Sequence, residues 1–247
     1  MSSIDWKAYL FFAFCAVSII FIAVILPKIC KSDFGGGRYS VSNDKPIPFV
    51  VFIAKQFSEA MTERGVGKFL MMNYAPPISL FDYDLTDKNI VKMKLHEILT
   101  DILKFLELPS SVKLKIDYES DDGTTQGEAG SYQNDDDGRI IVVKIKPFYT
   151  ADNVIAILCH EVTHYFMEHN RLNWENTALN EQRTDVAANL IGFNRIMTAG
   201  YRKIQKVTNS WNVRTIESHK IGYITESDCR DIGDFLHNYR NNLETYY

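Results

Sequence analysis

The chain has few cysteines and no surplus of positive charge, and each shortage excludes something. Four cysteines in 247 residues, at positions 15, 30, 159 and 229, do not make a disulfide framework. Cys159 reads as a small buried filler and Cys30 as a free thiol. Lys and Arg number 27 against 31 Asp and Glu, a net charge of −4. No basic patch is visible, so no nucleic-acid partner is expected. There is no internal repeat and no Asn-x-Ser/Thr acceptor. The acidic run Asn134-Asp135-Asp136-Asp137-Gly138 lacks the alternating ligands and closing glutamate of a calcium loop, and reads as a turn.

A long apolar run is present near the start. Residues 8–26 carry no charge, and as a helix they reach about 28 Å, close to one hydrocarbon core. A cleaved signal peptide needs a basic flank, a shorter apolar core and a small-x-small site. Here Asp5 offsets Lys7, and Leu26-Pro27-Lys28-Ile29-Cys30 offers no such site. The expectation is a flank at 1–7 and an uncleaved transmembrane helix at 8–26 in contact with a lipid bilayer. Lys28, Lys31 and Arg38 follow that span, a bias that places the body in the cytoplasm. Residues 27–46, with Gly35-Gly36-Gly37, read as a linker. Residues 47–247 are one domain by size.

Within the body, periodicity and punctuation predict a helix from Pro48 to Arg64, ended by Gly65 and Gly67. A second, Thr86 to Leu108, is ended by Pro109. Lys113 to Tyr118 reads as a strand, and Gly130–Gln133 with Arg139–Ile145 as a hairpin. A buried helix is expected over 150–170, started by Thr150 or Asp152. A further helix carries Glu181 to Asp185, Gly200 breaks the chain, and Ser227 caps a last helix running to about Glu244.

The 150–170 helix carries His160-Glu161-Val162-Thr163-His164. On a helix, residues i and i+4 share a face, so His160 and His164 point at one ion from successive turns. Glu161 lies about 100° round the axis from His160. From there it reaches a water without binding the metal itself. HExxH on a helix is the sequence form of a zinc hydrolase. Catalytic zinc takes three protein ligands and leaves one position open, so the third ligand comes from another segment. Glu181 is the best candidate. Asp185, one turn on, would accept a hydrogen bond from a zinc histidine and fix its tautomer.

HEVTH with a downstream ExxxD resembles the thermolysin-like gluzincin class of zinc metallopeptidases, over His160 to Asp185. The resemblance implies one Zn2+ per chain on His160, His164 and Glu181, with Glu161 as the general base and Asp185 supporting His160. It implies a minimal α+β zincin-like domain, a small mixed or antiparallel sheet packed on the HExxH helix. It also implies a strand near 130–145 forming an edge that pairs with extended peptide. An ordinary hairpin fits that sequence equally well. His219 and Tyr223, four residues apart and downstream as such donors are in gluzincins, are candidates to stabilise the oxyanion; Tyr132 is another. The metzincin pattern is excluded, since it would need Gly and His where Met167 and Asn170 stand. Glu168 is roughly 12 Å along the axis from His160, too far to share its ion.

The expected function is membrane-anchored, zinc-dependent hydrolysis of peptide bonds in a peptide or protein substrate. Two other readings keep the zinc: a catalytically silent scaffold at a membrane, against which Glu161 argues, and hydrolysis of a non-peptide amide.

Overall fold

Pro48 leads into the first helix, α1 (Phe49–Glu63), whose inner face buries Val50, Ile53, Ala54, Phe57 and Met61. Proline suits this position because its fixed φ is pre-set for a helix start. The helix ends at Gly65, φ 75°, and a short 3-10 turn (Gly67–Met71) follows. In α2 (Lys88–Phe105) the apolar stripe Val91, Leu95, Ile98, Leu99 and Ile102 is buried. Asp87 caps it, accepting from the backbone of Asn89 and Ile90 at 3.1 Å each. The helix is shorter at both ends than Thr86 to Leu108. Asp87 takes the cap, and Glu107 at φ 55° has already left the helix before Pro109.

The computed structural model describes residues 48–76, 85–119, 129–136, 138–173, 177–201, 204–210, 213–219 and 221–244, with the backbone alone at 177–178, 204–210, 213–219 and 243–244. These residues lie in one unit that spans Ile47–Tyr247. The expected membrane span at 8–26 and linker at 27–46 lie outside the described residues. Among the described residues no helix is long and apolar enough to cross a membrane.

Three strands form one sheet: β1 (Val112–Tyr118), β2 (Gly130–Asp135) and β3 (Gly138–Ile145), in the order β1-β3-β2. β1 runs parallel to β3, and β2 antiparallel to it. β3 lies in the middle and buries Ile141, Val142, Val143 and Ile145, as a strand covered on both sides must. β2 is an edge.

Next comes α3 (Ala151–His169). Thr150 and Asn153 close a reciprocal capping box at its start, satisfying backbone donors that a helix terminus leaves orphaned. α3 packs on β2 and β3, on α2, and on two helices that follow, α4 (Thr177–Ala188) and α5 (Asn194–Gly200). It is therefore buried round most of its circumference, with Leu158, Cys159, Val162, Tyr165 and Phe166 all at 0% exposure. α4 starts four residues before Glu181, so Glu181 sits in its second turn.

A π-type turn (Asn189–Phe193) joins α4 to α5, with Gly192 at φ 106°. A Cβ there would also approach Phe105 Cζ at 3.0 Å, so glycine is needed for both conformation and space. A hairpin of β4 (Ile204–Ser210) and β5 (Val213–His219) comes next, where no strand was expected. Finally α6 (Glu226–Glu244) is capped by Thr225, not Ser227. Thr225 Oγ1 accepts from Asp228 N at 3.1 Å, while Asp228 Oδ2 accepts from Thr225 N at 2.7 Å. The whole is a mixed α+β arrangement with its core on α3.

Asn153 does two jobs. Besides closing the cap, its amide donates to the carbonyl of Gly200 at 2.7 Å. α5 can come that close because a Cβ at Gly200 would overlap Ala156. Asn153→Ala is expected to cost about 2–3 kcal/mol, a lost cap plus a buried carbonyl without its donor. The check is the midpoint of urea unfolding at unchanged slope.

Candidate metal centre

The i and i+4 spacing on α3 sets His160 and His164 one above the other, their rings 4.9 Å apart. α4 packs against that face and presents its own i and i+4 pair, Glu181 and Asp185. His160 Nε2 lies 3.1 Å from Glu181 Oε2, and His164 Nε2 lies 3.3 Å from the same oxygen. The two Nε2 atoms are 3.2 Å apart. Three donor atoms thus form a nearly equilateral triangle. Ligands of a tetrahedral zinc, about 2.0–2.1 Å from the ion, stand about 3.3–3.4 Å from one another. The donor set fits such an ion with little movement.

The other ring nitrogens agree. His160 Nδ1 is 2.7 Å from Asp185 Oδ1, an acceptor. His164 Nδ1 is 3.3 Å from Thr184 Oγ1, whose own proton goes to the Asn180 carbonyl at 2.9 Å. These partners assign the proton to Nδ1 in both rings, leaving both Nε2 lone pairs directed into the triangle. Two lone pairs facing at that distance repel unless a cation or a proton lies between them.

Electrostatics reports the same demand. Burial opposes a charge on His160. The charge and hydrogen bond of Asp185, the bond to Glu181 and the charge of Glu161 outweigh it, holding His160 well above the ordinary histidine pKa. Where protons rather than a cation fill the triangle, hydrogen bonds from His160 and His164 hold the Glu181 carboxyl far below the usual range. A metal ion would have to displace the His160 proton, so its uptake would release a proton and weaken as pH falls.

Glu161 also lies within 4.8 Å of both histidines. Glu181 is the nearer carboxylate and completes the triangle; Glu161 sits beside it, 4% exposed. The edge strand passes directly over Glu161. A Cβ on Gly130 would fall 2.5 Å from Glu161 Oε1 and 2.9 Å from Ile157 Cγ2. Only glycine lets β2 come so near.

Asp185 is wholly buried, at 0% exposure, and accepts from four donors. His160 Nδ1 and the Tyr201 hydroxyl bond Oδ1. The backbone amides of Tyr223 and Ile224 bond Oδ2, at 2.6 and 3.1 Å. Burial, with the charge and hydrogen bond of Asp185, pushes the Tyr201 phenol well up, so it stays a donor. Gly222, φ 79°, turns the chain here, where a Cβ would overlap the Tyr201 ring.

Tyr223 is brought to the site. Its ring stacks on His160, centroids 6.0 Å apart and planes at 26°, and it is 44% exposed. For His219 the backbone is placed, as the last residue of β5 paired with Ile204; its side chain lies outside the described residues. Tyr132 faces elsewhere. It stacks on Tyr165 at 5.9 Å and gives its hydroxyl to Glu168 at 2.9 Å. Glu168 also accepts from Asn134 at 2.7 Å, away from the triangle.

A cleft of about 700 Å³ opens over the centre, walled by β2 from Ala129 to Tyr132, by α3 and α4, and by Ile221, Gly222 and Tyr223. No protein-family model matches the chain, and no curated protein or solved structure is found to be similar to it.

Sequence reasoning did not find Tyr201, Thr184 or Gly130. Only Gly130 left a trace, as a glycine at the start of a strand. Tyr201→Phe removes one of the four donors to Asp185 and nothing else in volume. It is expected to weaken zinc binding about 10-fold, at the lower end of the usual range for groups that orient ligands, measured by competition with a chromogenic chelator.

Proposed function

We propose that this chain is a zinc-dependent metallopeptidase of the gluzincin kind, with a zincin-like domain held at a membrane by residues 8–26 and facing the cytoplasm. The observation that carries the reading is the His160–His164–Glu181 triangle with a separate buried carboxylate, Glu161, beside it under an edge strand. A purely structural zinc site closes its fourth position with a ligand and has no use for such a carboxylate.

His160, His164 and Glu181 would hold the zinc. When bound, the ion supplies Lewis acidity toward a carbonyl oxygen and acidifies water. The chain supplies the rest. Glu161 takes the proton of the attacking water and hands it to the leaving amine. Asp185 fixes the ring of His160. The backbone edge that β2 turns away from β3, from Gly130 to Tyr132, pairs with an extended peptide and lays its scissile bond over Glu161. Tyr223, on the opposite wall, offers its hydroxyl to the carbonyl oxygen as charge develops there.

Full-length wild type, Glu161→Gln, His160→Ala and Glu181→Ala are to be compared for zinc content and for turnover of a quenched peptide library. One zinc per chain is expected in wild type and Glu161→Gln. Turnover in the latter should fall by about 10²–10⁴, the usual worth of a general base. The two alanine variants should lose the metal. Undiminished turnover in Glu161→Gln would remove the mechanism, and zinc retained in Glu181→Ala would remove the gluzincin assignment. Zinc without turnover of any peptide would leave a silent zinc-binding scaffold.

A further inference from the structure

One end of the cleft holds a buried cation that the chemistry above does not use. Lys146 follows β3, lines the cleft and is only 6% exposed. It is the one lysine or arginine among the described residues of the lining. An ammonium has three protons to place. Its counter-ion is Glu119, with Nζ to Oε2 at 3.5 Å, long against the 2.7–2.9 Å typical of a charge-assisted hydrogen bond. No hydrogen bond satisfies it among the described residues. Tyr149 stands three residues on, in the same lining. Its hydroxyl also makes no hydrogen bond among the described residues. Burial, and secondarily the charge of Glu119, push that phenol up to about 12, so it is a donor at neutral pH.

The sheet register gives the distance. Gly130, which lies over Glu161, pairs with Val143. Lys146 is three residues further along, roughly 10 Å for extended chain. Along the strand direction that offset matches about three residues of an extended peptide paired with β2.

The geometry points to a carboxylate-binding subsite formed by Lys146 and Tyr149, which selects peptides bearing an acidic side chain or a terminal carboxylate about three residues from the bond that is cleaved. It rests on the peptidase reading above. An incoming carboxylate accepts from the ammonium and from the phenol at once. It supplies Lys146 with the close partner that Glu119, 36% exposed, does not.

The test measures binding, apart from turnover. Zinc-loaded, full-length Glu161→Gln is titrated calorimetrically with alanine-based peptides. One set carries Glu or Gln three residues to either side of the centre, with an amidated end. The other compares a free with an amidated C-terminus at that distance. We expect an acidic member to bind about 10-fold more tightly than its neutral twin, and the set in which this occurs identifies which carboxylate is read. Adding Lys146→Met should erase the preference, and adding the isosteric Tyr149→Phe should reduce it, with zinc content unchanged. A preference that survives Lys146→Met would assign the carboxylate to the metal and overturn the subsite. So would equal binding of all twins, or binding of none at millimolar concentration. Zinc content and turnover of wild type from the same preparation judge the peptidase reading separately. Zinc and turnover without an acidic preference would remove the subsite alone. An acidic preference in a chain without zinc or turnover would remove the peptidase and leave a carboxylate-binding cleft.

Discussion

A buried carboxylate with four donors holds this molecule's centre together. Removing Asp185 from water is costly, and the cost is met only because donors arrive from three parts of the chain: His160 on α3, Tyr201 after α5, and the amides of Tyr223 and Ile224 before α6. Each donor thereby acquires a fixed place. The ring of His160 is locked with Nε2 toward Glu181 and His164. The Ile221–Ile224 turn is held against α4, which sets one wall of the cleft. A hydrogen-bonded charge in a low-dielectric interior acts over its whole shell at once, since losing any one donor leaves the others bound to an under-satisfied anion.

The opposite wall obeys a steric constraint. β2 lies over α3 at a separation that a single Cβ at Gly130 would abolish. Backbone amides and carbonyls of an edge strand are thus brought beside Glu161, while the anchored turn brings Tyr223 to the other side of His160. An electrostatic wall and a backbone wall both line the cleft over the triangle. The lysine at the far end gives the cleft a polarity that neither wall supplies.

Much of this was legible from spacing. His160, His164 and Glu161 share a short stretch of one helix, and Glu181 and Asp185 repeat the one-turn interval, so side-chain direction follows from helical geometry. The sheet strands and the helices of 47–105 were readable from alternation, apolar stripes and stops. Local rules failed where the partner was distant or was backbone. Tyr201 and Asp185 are linked only by the turn after α5. The amides of Tyr223 and Ile224 carry no residue signature at all. Thr225 captured the cap of α6 from Ser227 because Asp228 could answer it. The β4–β5 hairpin pairs Val207 with Ile216 and Thr208 with Thr215, β-branched residues whose strand preference depends on the partner strand. Of the expected oxyanion donors, Tyr223 is beside His160, whereas the hydroxyl of Tyr132 is taken by Glu168, a residue whose distance from His160 along α3 the sequence did show.

The four-donor shell of Asp185 also has a direction in time. Its last two members come more than sixty residues after His160 along the chain, so they join it by long-range closure, the slow kind of folding event. While a nascent chain has emerged only as far as α4, both histidines and Glu181 are present, but the carboxylate behind His160 lacks three of its four donors. The donor geometry around His160 is therefore complete only late in maturation. The segment from Tyr201 to Ile224, remote from HEVTH in sequence, acts as the latch that completes it.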